Sequence, residues 1–199
     1  MPESCEWNWV FDLSNQHKVI SMKPSKKVAL AIMASLSASG SCLAGEDIDK
    51  KVAHARAAAP AFISADATIV VNGKVVVEGS NGWTCMPDTM PDDGAAMCSD
   101  GMWMKMMGAL TSKKDFAADG VGISYMLLGD PGAGVSNSDP YHPDPKSAAD
   151  YVETGPHLMI IVPKELLKGI TNDPKVGGPY VMWGDTPYAH IMVPVADVE

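Results

Sequence analysis

Two segments of the chain repeat one pattern, His157-Leu158-Met159-Ile160 and His190-Ile191-Met192-Val193. Residues two apart on a β-strand share a face, so each segment, if extended, presents one imidazole beside one thioether. On neighbouring strands, His157, Met159, His190 and Met192 would make a two-His, two-Met cluster, and copper accepts both donor types. Packing is the simpler reading of the same residues. A histidine at the mouth of an apolar strand ordinarily holds one hydrogen bond, and methionine fills irregular gaps in a core. Packing also accounts for the run Met102, Met104, Met106 and Met107. There Met102 and Met106, and Trp103, Met107 and Leu110, fall at the spacing of a helix buried on much of its surface.

Other chemistries have weaker signals. Asp88, Asp92, Asp93 and Asp100 surround two cysteines, and Asp139 and Asp144 flank His142. Oxygen ligands at this density can hold calcium, but no alternating Asp/Asn ladder closed by a bidentate Glu occurs, so solvated acidic loops are the better reading. For a hydrolase, Ser124 in Gly122-Ile123-Ser124-Tyr125-Met126 lacks the second glycine of a nucleophile elbow. His142, His157 and His190 remain as bases whose Ser and Asp partners only the fold can supply. P-loop, dinucleotide, zinc-protease and paired-cysteine redox patterns are missing, and no residue is assigned as catalytic.

The elements that must position these residues begin after an export signal. From Met22 the chain carries Lys23, Lys26 and Lys27, an uncharged stretch Val28 to Leu36, and small residues through Ala44. That is the three-part layout of a secretory signal peptide, and its core is well short of the roughly 20 residues of a permanent membrane helix. Residues 22–44 are therefore expected to be removed by cleavage after Ala44. A lipid-modified Cys42 is the alternative, weakened by Ser39 where a branched apolar residue is wanted. Residues 1–21, acidic and aromatic ahead of the basic end, are expected to be an over-extended reading of the gene. Residues 45–199 then form one periplasmic or secreted domain, with no later segment long enough to span a membrane.

Within that domain the remaining cysteines, Cys85 and Cys98, are expected to be joined in an oxidising compartment, and closing so short a loop contributes roughly 3 kcal/mol in the chain-entropy account. Helices are expected over 47–59, ended by Pro60, over 102–114, capped by Ser99 or Asp100, over 147–151, and over 164–170. Thr68 to Val77, with β-branched runs on either side of Asn72-Gly73, predicts a two-residue hairpin. Strands are expected over 121–128, 157–162, 180–183 and 189–195, with a long loop over 129–145 of the kind that often binds or covers ligands. Paired hairpins with scattered helices give an α+β class with a mainly antiparallel sheet. The formal charge of −9 makes nucleic acid and anionic membrane surfaces poor partners. A small molecule, a metal or an envelope protein remains.

Asn81-Gly82-Trp83-Thr84-Cys85-Met86-Pro87-Asp88, Ser136-Asn137-Ser138-Asp139-Pro140, Gly155-Pro156-His157-Leu158-Met159 and Pro187-Tyr188-Ala189-His190-Ile191-Met192-Val193-Pro194 together resemble a family of exported bacterial proteins of unknown function. The likeness covers most of residues 45–199 and implies export, but carries no activity, cofactor or fold. The leading reading is a binding or accessory module without covalent chemistry; the rivals are a copper-binding protein and an envelope hydrolase. If translation starts at Met22, mass spectrometry of the producing cell will find no peptide from residues 2–21; one such peptide refutes the assignment.

Overall fold

The computed structural model describes residues 41–196. The expected extension and most of the export signal lie outside the described residues. Three α-helices, α1 (Ser41–Ala57), α2 (Ala61–Ser64) and α3 (Gly101–Thr111), accompany ten strands: β1 (Thr68–Val71), β2 (Lys74–Val77), β3 (Thr84–Met86), β4 (Met97–Ser99), β5 (Gly122–Met126), β6 (Val135–Ser136), β7 (Tyr151–Val152), β8 (His157–Ile161), β9 (Tyr180–Met182) and β10 (His190–Pro194). Eight strands form one sheet in the order β2-β1-β3-β4-β5-β8-β10-β9, and β6 pairs with β7 apart from it. Every neighbouring pair in the large sheet is antiparallel except β1 with β3. The class is α+β with a dominant antiparallel sheet, as expected.

The Asn72-Gly73 hairpin forms as predicted, with φ of 50° and 72° at its two turn residues. Cys85 lies directly opposite Cys98 across β3 and β4, and the two are joined as a disulfide. Alternation then divides the sheet. Cys85, Cys98, Ile69 and Val71 point to one side, where they pack with Ala55, Ala58 and Ala59 of the α1 region. Met97, Met126, Met159, Met182 and Met192 point to the other side and are covered by Trp103 and Met106 of α3. The methionine side and the cystine side are therefore separate cores.

Two local features hold α3 on the methionine side. Asp100 caps the helix through Oδ1, which accepts from Trp103 N at 2.9 Å, while its Oδ2 accepts from Ile123 N of β5 at 2.7 Å. One carboxylate thus ties the helix start to the sheet. At Gly122 a Cβ would come within 2.9 Å of Met102, so a bare backbone is needed for the helix to lie this close. The expected span to Lys114 is corrected to Thr111. Lys113 adopts φ 52°, Lys113 N donates to Leu110 O, and Lys114 N donates to Ala109 O, a Schellman closure in which the lysines end the helix instead of extending it.

Other boundaries also move. The first helix is already formed at Ser41, the first described residue, and ends at Ala57, with Pro60 preceding α2. Residues 164–170 form a 3-10 turn, Lys164–Leu167, and the expected helix near 147–151 is a 3-10 turn, Pro145–Ser147, followed by β7. After Leu167 the helical path ends because Lys168 is extended (ψ 123°) and Gly169 is left-handed (φ 91°). The long loop over 129–145 is anchored: Ser136 Oγ donates to Asp150 Oδ1 at 2.8 Å and Ser138 N donates to Asp150 Oδ2 at 2.9 Å. The Asp150 carboxyl is accordingly held below the ordinary carboxylate range, chiefly by its bonds to Ser138 and Ser136.

Since Asp100 serves helix and sheet together, Asp100→Ala is expected to cost about 2–3 kcal/mol, more than a cap alone. Asp100→Asn should recover most of the loss. Urea unfolding midpoints check this, and an Ala variant within about 0.5 kcal/mol of wild type would refute the dual role.

Candidate metal centre

His157 and His190 come to neighbouring strands, since β8 pairs with β10. Met192 lies directly opposite Met159, and Pro194 lies opposite His157. The two thioethers thus meet across the strand pair, whereas the two histidines stand at opposite ends of it. The outer neighbours add two residues that the sequence reading left out: Met126 of β5 is opposite His157, and Met182 of β9 is opposite His190. Each imidazole therefore has one methionine across the ladder and one two residues along its own strand. Directly opposed Cβ atoms are about 5 Å apart and same-face neighbours about 7 Å, within reach of a methionine side chain.

Both histidines are 1% exposed, and both use their Nδ1 in the same way. His157 Nδ1–H donates to Gly155 O at 2.7 Å, and His190 Nδ1–H donates to Tyr188 O at 3.0 Å. A carbonyl only accepts, so the proton is on Nδ1 and the lone pair on Nε2. Five buried side-chain nitrogen or oxygen atoms among the described residues lack a hydrogen-bond partner, and His157 Nε2 and His190 Nε2 are two of them. An orphaned buried acceptor costs roughly 1–3 kcal/mol. A third orphan stands at the His190 end, Trp103 Nε1, on an indole whose centroid is 5.1 Å from the imidazole, while the residues directly opposite His157 are Met126 and Pro194. A backbone bond on Nδ1 with a free, oriented Nε2 is the arrangement that metal-ligating histidines adopt.

Trp103 and Trp183 wall the His190 end, each with its ring centroid 5.1 Å from the imidazole and nearly perpendicular to it. Trp183 is set by a left-handed backbone, φ 56°, and by donation from its Nε1 to Ser136 O at 2.9 Å. Burial lowers the His190 imidazole to about 4, opposed by the bond to Tyr188 and assisted by repulsion from His157; burial lowers His157 as well. Both rings are therefore neutral near pH 7, with Nε2 free of a proton. The nearest buried carboxyl in this region, Asp130, is raised to about 6 by burial, partly offset by the Thr154 N–H that it accepts. Thr154 Oγ1 in turn lies 3.2 Å from the hydroxyl of Tyr180, which is opposite Met192.

The remaining candidates disperse. Ser124 Oγ bonds Ser99 Oγ at 2.8 Å, and His142 Nδ1 accepts from Asp144 N at 3.3 Å. Among the described residues, no hydrogen bond joins His142, His157 or His190 to a serine or carboxylate side chain. The acidic loop is occupied with its own backbone: Asp93 accepts from Thr89 N, Met90 N and Ala95 N, and Asp88 from Gly94 N. Lys51 Nζ sits 3.1 Å from Asp92 and 3.5 Å from Asp88. No group of three or more His, Cys, Asp or Glu residues suited to a metal occurs among the described residues, so the candidate donors here are imidazole and thioether. No helix among them is long and apolar enough to cross a membrane. No protein-family model, curated protein or solved structure matches the chain.

The buried imidazoles make stability acid-dependent. A folded pKa below the ordinary 6.5 contributes stability that is complete above 6.5 and lost as pH falls toward 4, because the unfolded state takes up the proton first. Asp130 acts in the opposite sense, since its raised folded value favours the folded state as pH falls through 6. His190→Leu removes one contribution and leaves Asp130 in place. The loss of unfolding free energy between pH 6.5 and 4 should be smaller in this variant, by roughly 3 kcal/mol at most; equal losses in both proteins would refute the assignment.

Proposed function

We propose that this chain is an exported metal-binding module that holds monovalent copper on the methionine side of its sheet, with His157, Met159, His190 and Met192 among the donors. The observation that carries the reading is the pair of buried imidazoles, each fixed through Nδ1, each with an unpartnered Nε2, and each with methionines at the neighbouring ladder positions. Thioether is a soft donor that favours cuprous ion, whereas imidazole serves cuprous, cupric and zinc ions alike, so the methionines decide the choice of ion. The two cysteines, softer ligands still as thiolates, are oxidised and face the other core. Export, which rests on the residues from Met22 to Ala44, would bring the protein to a compartment compatible with that disulfide. The same donors supply no nucleophile, so binding or delivery suits them better than catalysis.

Protein purified from the envelope, or refilled with cuprous ion under anaerobic conditions, should retain copper through desalting. The His157→Leu, His190→Leu double variant, near wild type in side-chain volume, should lose it by metal analysis while keeping the wild-type circular dichroism spectrum. Folded wild-type protein that retains no copper against a weak competitor would eliminate the reading.

A further inference from the structure

We infer that the methionine side holds two cuprous ions, one on His157, Met126 and Met159 and the other on His190, Met182 and Met192. This rests on the copper reading above and extends it. The argument is the register. Pro194 lies opposite His157 and His190 is four residues away on β10, so the two histidine backbones are about 13 Å apart along the strands at about 3.3 Å per residue. A single ion at about 2 Å from each nitrogen needs the two Nε2 atoms within about 4 Å of each other. Strand side chains stand roughly perpendicular to the sheet, which keeps these two rings on separate axes.

The local surroundings are instead duplicated. His157 has Met126 across the ladder, and His190 has Met182. Each also has a same-face methionine two residues along its own strand, Met159 and Met192, and these two oppose each other at the centre of the strand pair. All four methionines are buried, at 2–6% exposure. Each histidine thus has its own pair of methionine neighbours on the ladder, which gives the two proposed one-nitrogen, two-sulfur positions, related by the antiparallel repeat. The His190 position lies beside Trp103 and Trp183, whose indoles exclude water from it; the His157 position lies toward Met97, which packs in the same core.

Anaerobic titration of the wild-type protein with cuprous ion against bicinchoninate should reach two equivalents. Met126→Leu and Met182→Leu, both close to volume-neutral, should each weaken one equivalent at least tenfold and spare the other. X-ray absorption of fully loaded wild-type protein, which needs no variant to fold, should give one nitrogen and two sulfurs per copper. Saturation at one equivalent, or two nitrogens on a single copper, overturns the two-ion arrangement while leaving copper binding intact. Retention of no copper overturns both.

Discussion

Two imidazoles buried with half of their hydrogen-bonding capacity filled are the constraint around which the methionine side is organised. Each ring is fixed by its own strand: the Nδ1–H returns to the carbonyl two residues earlier, Gly155 for His157 and Tyr188 for His190. That bond is local to each strand, and it decides the tautomer. The opposite nitrogen is left to whatever the sheet brings across the ladder, and the sheet brings methionine in both cases. The thioethers exclude water and supply no hydrogen to donate.

The rest of the fold keeps that side dry. α3 lies across it because Asp100 joins the helix cap to Ile123 and because Gly122 admits the helix backbone. Trp103 and Met106 then fall on the sheet-facing surface of the helix and are the buried residues of α3. The chain between β5 and β8 supports the cover, with its carboxylate Asp150 holding Ser136 and Ser138 and with Ser136 O receiving the indole of Trp183. The cystine works at a distance from all this. It clamps β3 to β4 from the face that α1 covers, so the oxidised pair stabilises the sheet without offering sulfur to the methionine side.

What the sequence made legible were features whose cause is local. The Asn72-Gly73 turn needs only its own backbone preferences, the Asp100 cap only the next few residues, and the His-x-Met repeats only the two-residue period of a strand. The short separation of Cys85 and Cys98 likewise sufficed for their pairing. What it hid were facts of neighbourhood and register. Met126 and Met182 gave no sign of their place because adjacency of β5 to β8 and of β9 to β10 is set by tertiary packing; moreover Tyr180, Val181 and Met182 are all buried, so no alternation marks which of them shares a face with His190. The expected four-residue cluster is also divided by register: the strands are neighbours, but an antiparallel pairing centred on Met159 and Met192 sends the two histidines to opposite ends. The helix ends were misplaced for the same class of reason, since Lys113 in a left-handed conformation closes α3 where glycine would have announced it.

If the proposed copper reading holds, charge gives a further reason for the ion to be monovalent. The methionine side lies in an apolar interior, where the cost of introducing an ion rises with the square of its charge and is already several kcal/mol for a single charge. Neutral imidazoles and thioethers offset that cost by coordination without adding negative charge, and the nearby carboxyl of Asp130 is itself held toward its neutral form by burial. A divalent ion would meet a larger desolvation penalty with no thiolate or carboxylate among its direct donors to compensate it. On the copper reading proposed above, the same absence of anionic ligands that makes this side a good hydrophobic core would also make it selective: softness would favour copper over harder ions, and low dielectric its lower charge state over the higher one.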